Sequence, residues 1–296
     1  VTEATPTRVR LGIAYDGTDF AGWARQPALR TVQGVLEGAL AIVFPHEDPP
    51  TLTVAGRTDA GVHALGQVAH LDLEPAARAR IESRRGADGI RGLARRLTGI
   101  LGQHSDVVVT EASIAPPGFD ARFSAVWRRY AYRVADAATP LNPLERAFVH
   151  RHSGALDVAA MNATADELVG LHDWAAYCRP REGATTVRTL EHFRWERDDA
   201  GVLVAQVRAD AFCHSMVRSL VGACISVGSG RLAPEAPAHL RDARERTSAF
   251  IVAPARGLTL VEVGYPDDAE LAARAAQTRA RRDPIHVDRS APDGLM

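Results

Sequence analysis

The 296-residue sequence predicts an α+β fold built from two β-α-β-β-α-β units in tandem. Three observations predict it. Segments of strict apolar alternation are interleaved with segments whose apolar residues recur at helical spacing. The order of the two kinds is the same in both halves. Turn-forming residues, such as Asp198-Asp-Ala-Gly201, fall between them.

In the first half, Arg8–Tyr15 alternates with Val9, Leu11, Ile13 and Tyr15 on one face, which is a strand. Thr31 can cap a helix whose apolar positions are Val32, Val35, Leu36, Ala39, Leu40 and Val43. Thr51–Ala55 and Gln67–Leu73 read as strands flanking a glycine-bounded loop. Ile90, Leu93, Leu97 and Leu101 mark a second helix, and Asp106–Ser113 is a β-branched strand. The second half repeats the order: strand Trp127–Val134, helix Asp157–Gly170, strands Val187–Arg197 and Val202–Asp210, a helix lined by Met216, Val217, Leu220, Val221, Cys224 and Ile225, then strand Leu258–Tyr265. Pro234–Arg246 reads as an inserted helix. Two split β-α-β units of this kind imply tandem ferredoxin-like subdomains with a largely antiparallel sheet and a central cleft. The expected boundaries are 1–114, 115–266, and a 267–296 segment that is helical to about Arg282 and then loose.

A hydrophobic content of 46% with 24% charged residues is ordinary for a globular protein with a buried core. No apolar run approaches the ~20 residues that span a bilayer, and Val1–Arg8 lacks the apolar core of a signal peptide. A cytosolic protein without membrane contact is expected. Cys178, Cys213 and Cys224 are too few and scattered for a disulfide framework or a zinc knuckle, and read as reduced thiols. The net charge of −1 does not advertise a polyanionic partner. All 35 basic residues are Arg, however, and Arg forks onto phosphate better than Lys. Seven of them fall in residues 78–96, and Arg122, Arg128, Arg129 and Arg133 form a second group, so local basic patches are expected.

The chemistry-bearing feature is Gly56-Arg-Thr-Asp-Ala-Gly61, between two strands. Glycines there permit close approach of a ligand. On extended backbone Arg57 and Asp59 would share a face, ~7 Å apart at the α-carbons. A nearby guanidinium keeps a carboxylate ionised, as a nucleophile or base requires. An Asp beside Gly is also a common turn former. In Arg128-Arg-Tyr-Ala-Tyr132, a strand puts Arg128, Tyr130 and Tyr132 on one face, suited either to an unstacked base on its phosphate or to a tyrosine half-buried in a sheet. Arg218 follows Phe212-Cys-His-Ser-Met-Val beside an apolar helical stripe. It is either a solvated Arg or a paired one at the helix edge. His63, Cys213 and His214 match no metal-ligand spacing.

These residues, in order, resemble the bacterial tRNA pseudouridine synthases of the TruA type. The matching segments are Tyr15-Asp-Gly17 with Gly22-Trp23, Thr31-Val-Gln33, the Gly56–Ala64 run, Ala121–Ala125, Arg129-Tyr130, Phe212–Arg218 and Gly257-Leu258. The resemblance implies that Asp59 is catalytic, that Arg57 helps flip the target nucleotide or takes its place, and that Tyr130 stacks on the uracil. It implies that Arg218 pairs with Asp59 and that Leu258 walls the pocket. It further implies a homodimer acting on uridines 38, 39 and 40 of the tRNA anticodon arm, without metal or organic cofactor. Ala24, Thr259 and Gly102-Gln103-His104 depart from the family pattern but touch none of these catalytic groups. Two other classes compete: a non-catalytic RNA-binding module, and a nucleosidase or glycosidase, which commonly uses two carboxylates where this loop offers one.

Overall fold

A computed structural model describes residues 5–45, 49–85, 89–140, 142–179 and 185–280. The elements run β1 (Thr7–Tyr15), α1 (Val32–Val43), β2 (Thr53–Val54), β3 (His63–Leu73), α2 (Pro75–Arg85), α3 (Gly89–Leu101) and β4 (Val107–Ile114). They continue β5 (Trp127–Ala135), β6 (His150–Arg151), α4 (Val158–Leu168), β7 (Gly170–Asp173), β8 (Val187–Arg197), β9 (Leu203–Ala209), α5 (Met216–Gly228), α6 (Ala236–Ala243), β10 (Leu258–Gly264) and α7 (Leu271–Arg279).

Local chemistry sets several of these boundaries. Thr31 caps α1, its hydroxyl accepting from the Gly34 amide at 3.2 Å. Asp157 does the same for α4 through the Ala160 amide at 3.0 Å. The β8–β9 turn closes on Asp198, whose carboxylate accepts from the Ala200 and Val202 amides at 3.0 and 2.9 Å.

The strands form one ten-stranded, mostly antiparallel sheet in the order β4-β1-β3-β10-β5-β9-β8-β7, with β2 on β3 and β6 on β5. Each half has the same internal order: β4-β1-β3-β2 in the first, β10-β5-β9-β8 in the second. They join where β10 runs parallel to β3, Thr259 opposite His63 and Leu260 opposite Ala64. The apolar residues of both halves form one continuous core, with Trp23, Trp174, Trp195 and Tyr132 buried in it. Each such burial stabilises by roughly 2 kcal/mol or more.

The structure departs from the sequence reading in four places. The 51–55 strand shrinks to Thr53–Val54, while the next begins earlier, at His63. Short strands β6 and β7 add to the second half. Of the Arg-rich 78–96 stretch, residues 78–85 and 89–96 belong to two helices. The first, α2, is polar overall and is anchored by Ala77 and Ile81 at an i, i+4 spacing. Finally, the C-terminal helix ends at Arg279 and is docked, with Leu271 and Ala275 buried and Arg279 paired to Asp120 at 2.7 Å. The expected loose tail falls on 281–296, outside the described residues. Among the described residues no helix is long and apolar enough to cross a membrane.

Candidate active site

The Ala55–Val62 loop leaves β2 and enters β3, at the seam between the two halves. Its backbone is tied down along its length. The Ala55 amide donates to Val68 O at 2.8 Å, the Trp23 amide to Thr58 O at 3.1 Å, and the Gly61 amide to Phe20 O at 3.3 Å. Gln67, fully buried, donates to Gly56 O at 2.9 Å, and the Tyr15 and Thr58 hydroxyls share a hydrogen bond at 2.8 Å. Gly61 turns the chain at a φ of +76°, where a side chain is strained. Gly17 lies so close that an added Cβ would stand 2.0 Å from Val62 O. The Tyr15-Asp-Gly17 and Gly22-Trp23 segments therefore brace the loop from behind.

This bracing presents Asp59 to the start of α5. Its Oδ1 lies 3.4 Å from His214 Nε2, and its Oδ2 lies 3.5 Å from Arg218 Nη1 and 3.4 Å from Ser215 Oγ. The Asp59 side chain remains 28% exposed. Arg218 is aimed by a second contact, its Nε donating to Ala253 O at 2.7 Å. Asp59 thus comes from one half of the chain, and its three polar neighbours come from the other.

Tyr130, on β5, lies near this carboxylate and packs edge-to-face on Phe212 with ring centroids 5.2 Å apart. Burial pushes its phenol pKa well up, Tyr15 and the Asp59 charge adding to the effect and Arg128 opposing it. Leu258, at the head of β10, is buried and paired across the ladder with Tyr132. Arg57 is exposed and makes no ion pair with Asp59. Residues 57–59 lie outside the strands, and Arg57 does not reach the carboxylate. The guanidinium at the carboxylate is that of Arg218.

Two further sequence readings are corrected. Arg128 does not stand open to a phosphate. It donates to three carbonyls: Asp210 at 2.8 Å, Ala55 at 3.0 Å and Arg122 at 3.1 Å. It joins the Asp59 loop to the segment leading into α5. Tyr132 is buried, its hydroxyl on Pro254 O at 2.8 Å. The cysteines are not all free thiols, since Cys178 and Cys213 form a disulfide with Cα atoms 5.7 Å apart, while Cys224 is free and buried. A separation of 35 residues gives no local hint that the 174–179 turn packs on the 210–215 segment.

Among the described residues no group of three or more His, Cys, Asp or Glu could hold a metal ion. His63 is buried, with Nδ1 accepting from the Gly17 amide at 3.0 Å and Nε2 against Arg256 O at 3.1 Å. A surface pocket of about 600 Å³, lined by Arg25, Leu29, Arg30 and Val35 among others, opens beside the loop that follows Trp23. Sequence reasoning passed over Ser215 as a partner of Asp59, and took His214 for a poor metal ligand. The signal available was their place just before Arg218.

A protein named tRNA pseudouridine synthase A from Leifsonia xyli subsp. xyli is 60% identical over 281 residues, covering 93% of this chain and 98% of its own. The chain belongs to the tRNA pseudouridine synthase A family. The same name is carried by relatives from Streptomyces griseus, 54% identical over 92% of this chain and 93% of theirs, and Mycobacterium leprae, 46% identical over 93% and 95%. The family described as tRNA pseudouridine synthase matches residues 164–266, which hold α5 and β10. As a tRNA pseudouridine synthase the chain is an isomerase acting on tRNA. Its reaction requires a base out of the stack, a group to act on the nucleotide, and a way to hold the detached uracil.

Proposed function

We propose that Asp59 is the catalytic carboxylate, and that the enzyme isomerises uridines 38, 39 and 40 of the tRNA anticodon arm. The observation that carries this reading is the convergence of Arg218, His214 and Ser215 on a part-exposed Asp59 at the seam of the sheet. A carboxylate met by a guanidinium is oriented by it, which nucleophile and base alike require.

The bond from ribose C1′ to uracil N1 breaks, the uracil turns, and C1′ bonds to C5. The C5 hydrogen leaves as a proton, and N1 gains one. Atoms and oxidation state are conserved, so the step calls for no redox or group-carrying cofactor. Three routes are open to Asp59: attack on C1′, attack on the uracil ring, or removal of a ribose proton. In each the charge and position of the carboxylate do the chemistry. Tyr130 offers its ring to the flipped uracil. Phe212 stands at right angles to that ring and adds a second aromatic beside it. Arg57, exposed at the loop, fills the space the nucleotide vacates or helps expel it, and Leu258 closes the pocket from β10.

The repeated strand order supports reading 1–114 and 115–266 as two ferredoxin-like subdomains sharing one sheet, with 267–296 as an appended segment. We place the protein in the cytoplasm as a homodimer, two copies spanning one tRNA through shape and phosphate contacts. The test is to map pseudouridines in tRNA transcripts after incubation with the protein. Pseudouridine at 38–40 is expected. Modification confined to another arm would overturn the positional assignment, and release of free uracil would favour the nucleosidase reading.

A further inference from the structure

We infer that Ser215 is a positioning residue for the isomerisation, holding the Asp59 carboxylate in register with Arg218. This rests on the reading of Asp59 as the catalytic group.

Ser215 stands immediately before α5, where a serine ordinarily has extended backbone and turns its hydroxyl onto an amide of the first helical turn. It does neither. Its φ of +65° and ψ of 5° are left-handed, and its side chain makes no cap hydrogen bond. The hydroxyl instead reaches Asp59 Oδ2 at 3.4 Å. The helix gives up a cap, and a non-glycine residue takes a strained left-handed conformation. Strain of this kind persists only where the surroundings over-determine it.

The surroundings do so here. Asp210 accepts from the Ala211 amide at 2.7 Å and the Thr189 amide at 3.0 Å. Cys213 is bonded to Cys178, and the Arg179 amide donates to His214 O at 3.0 Å. On the far side the Ser219 amide donates to Ser215 O at 2.9 Å and the Ala253 amide to Arg218 O at 3.0 Å. The turn is clamped before and after Ser215, and the product of the clamp is a hydroxyl aimed at Asp59. At 3.4 Å the bond is long, as catalytic hydrogen bonds often are before substrate tightens them. Ser215 and Arg218 meet the same oxygen, leaving Oδ1 on the His214 side as the less constrained one.

The test compares Ser215→Ala, Ser215→Gly and Ser215→Asn in the full chain, alongside Asp59→Asn. The readouts are single-turnover release of tritium from C5-labelled tRNA, KM for tRNA, and melting temperature. Ala removes the donor and should lower kcat about tenfold with KM unchanged. Gly relieves the backbone and also lacks the donor. It should melt at or above the wild-type temperature yet react as slowly as Ala. Asn tolerates the left-handed backbone and restores a donor, so it should recover most of the lost rate. Wild-type kcat in the Gly variant, or an Asn variant as slow as Ala, would overturn the proposal while an inactive Asp59→Asn left the catalytic reading standing. An active Asp59→Asn would remove both.

Discussion

Arg218 lies on the first turn of α5 and Asp59 in the β2–β3 loop, 159 residues apart in sequence, yet their Nη1 and Oδ2 atoms are 3.5 Å apart. The backbone carbonyl of Ala253 fixes the guanidinium from its other edge. Arg218→Ala should therefore leave Asp59 without its fixed cation and lower kcat on the order of thirtyfold, with tRNA affinity nearly unchanged. Arg218→Lys should recover only part of the rate, because an ammonium cannot serve Ala253 and Asp59 together in the same geometry. Single-turnover kinetics of both variants check this, and wild-type turnover in the Ala variant would remove Arg218 from the site.

The Tyr130 phenol sits well above its ordinary pKa because burial, with the nearby Asp59 charge, penalises the phenolate. It stays protonated throughout the usual assay range, so it should impose no alkaline limb on the pH–rate profile below about pH 10. Tyr130→Phe should keep most of the rate, since the ring face survives. Tyr130→Leu should lose substantially more through loss of stacking, about 1–3 kcal/mol. Equal rates in Phe and Leu variants would argue against a stacking role.

Binding of tRNA should weaken steeply as salt rises, since phosphate contacts release counterions. Arg25 is 75% exposed, lines the pocket beside the loop that follows Trp23, and pairs with Glu37 at 3.6 Å. Arg25→Ala should reduce the slope of log affinity against log salt by about one contact without changing kcat. Titrations at several salt concentrations measure both, and an unchanged slope would place Arg25 outside the RNA footprint.

Away from the site, Asp136 links the β5 end to the β8–β9 turn. Burial alone would raise its pKa, but hydrogen bonds from Arg197, the Leu156 amide and Thr139 outweigh it and bring the carboxyl down to about 2. A pKa depressed on folding stabilises the protein above the unfolded value near pH 4, and that contribution fades as pH falls through about 2. Asp136→Asn should lower the melting temperature clearly at pH 7 and much less near pH 2.5. An equal loss at both pH values would mean the charge is not what stabilises.

What was legible in the sequence was what is local. Alternation in Arg8–Tyr15, the Thr31 cap and the Asp198–Gly201 turn each depend on neighbours a few residues away, and each is present. The Arg-rich α2 was hidden because its buried apolar residues, Ala77 and Ile81, form one turn of a helix otherwise small or charged. At the site, the Gly-flanked loop announced Asp59, but adjacency misled about its cation. Arg57 is near in sequence and turned outward, while Arg218 arrives only because β10 docks against β3 and brings the halves together. The left-handed turn at Ser215 was invisible, since nothing in its immediate sequence demands a positive φ. Arg128 looked like a substrate group because a strand pattern shows which face a side chain takes, not which carbonyls await it there.

The most direct test of the central claim is single-turnover tritium release from C5-labelled tRNA by Asp59→Asn, with tRNA binding measured in parallel. Asn keeps the shape of the side chain and removes the charge that Arg218 and its neighbours surround. Loss of release to background, with binding retained, is the predicted result. Release at the wild-type rate would contradict the account.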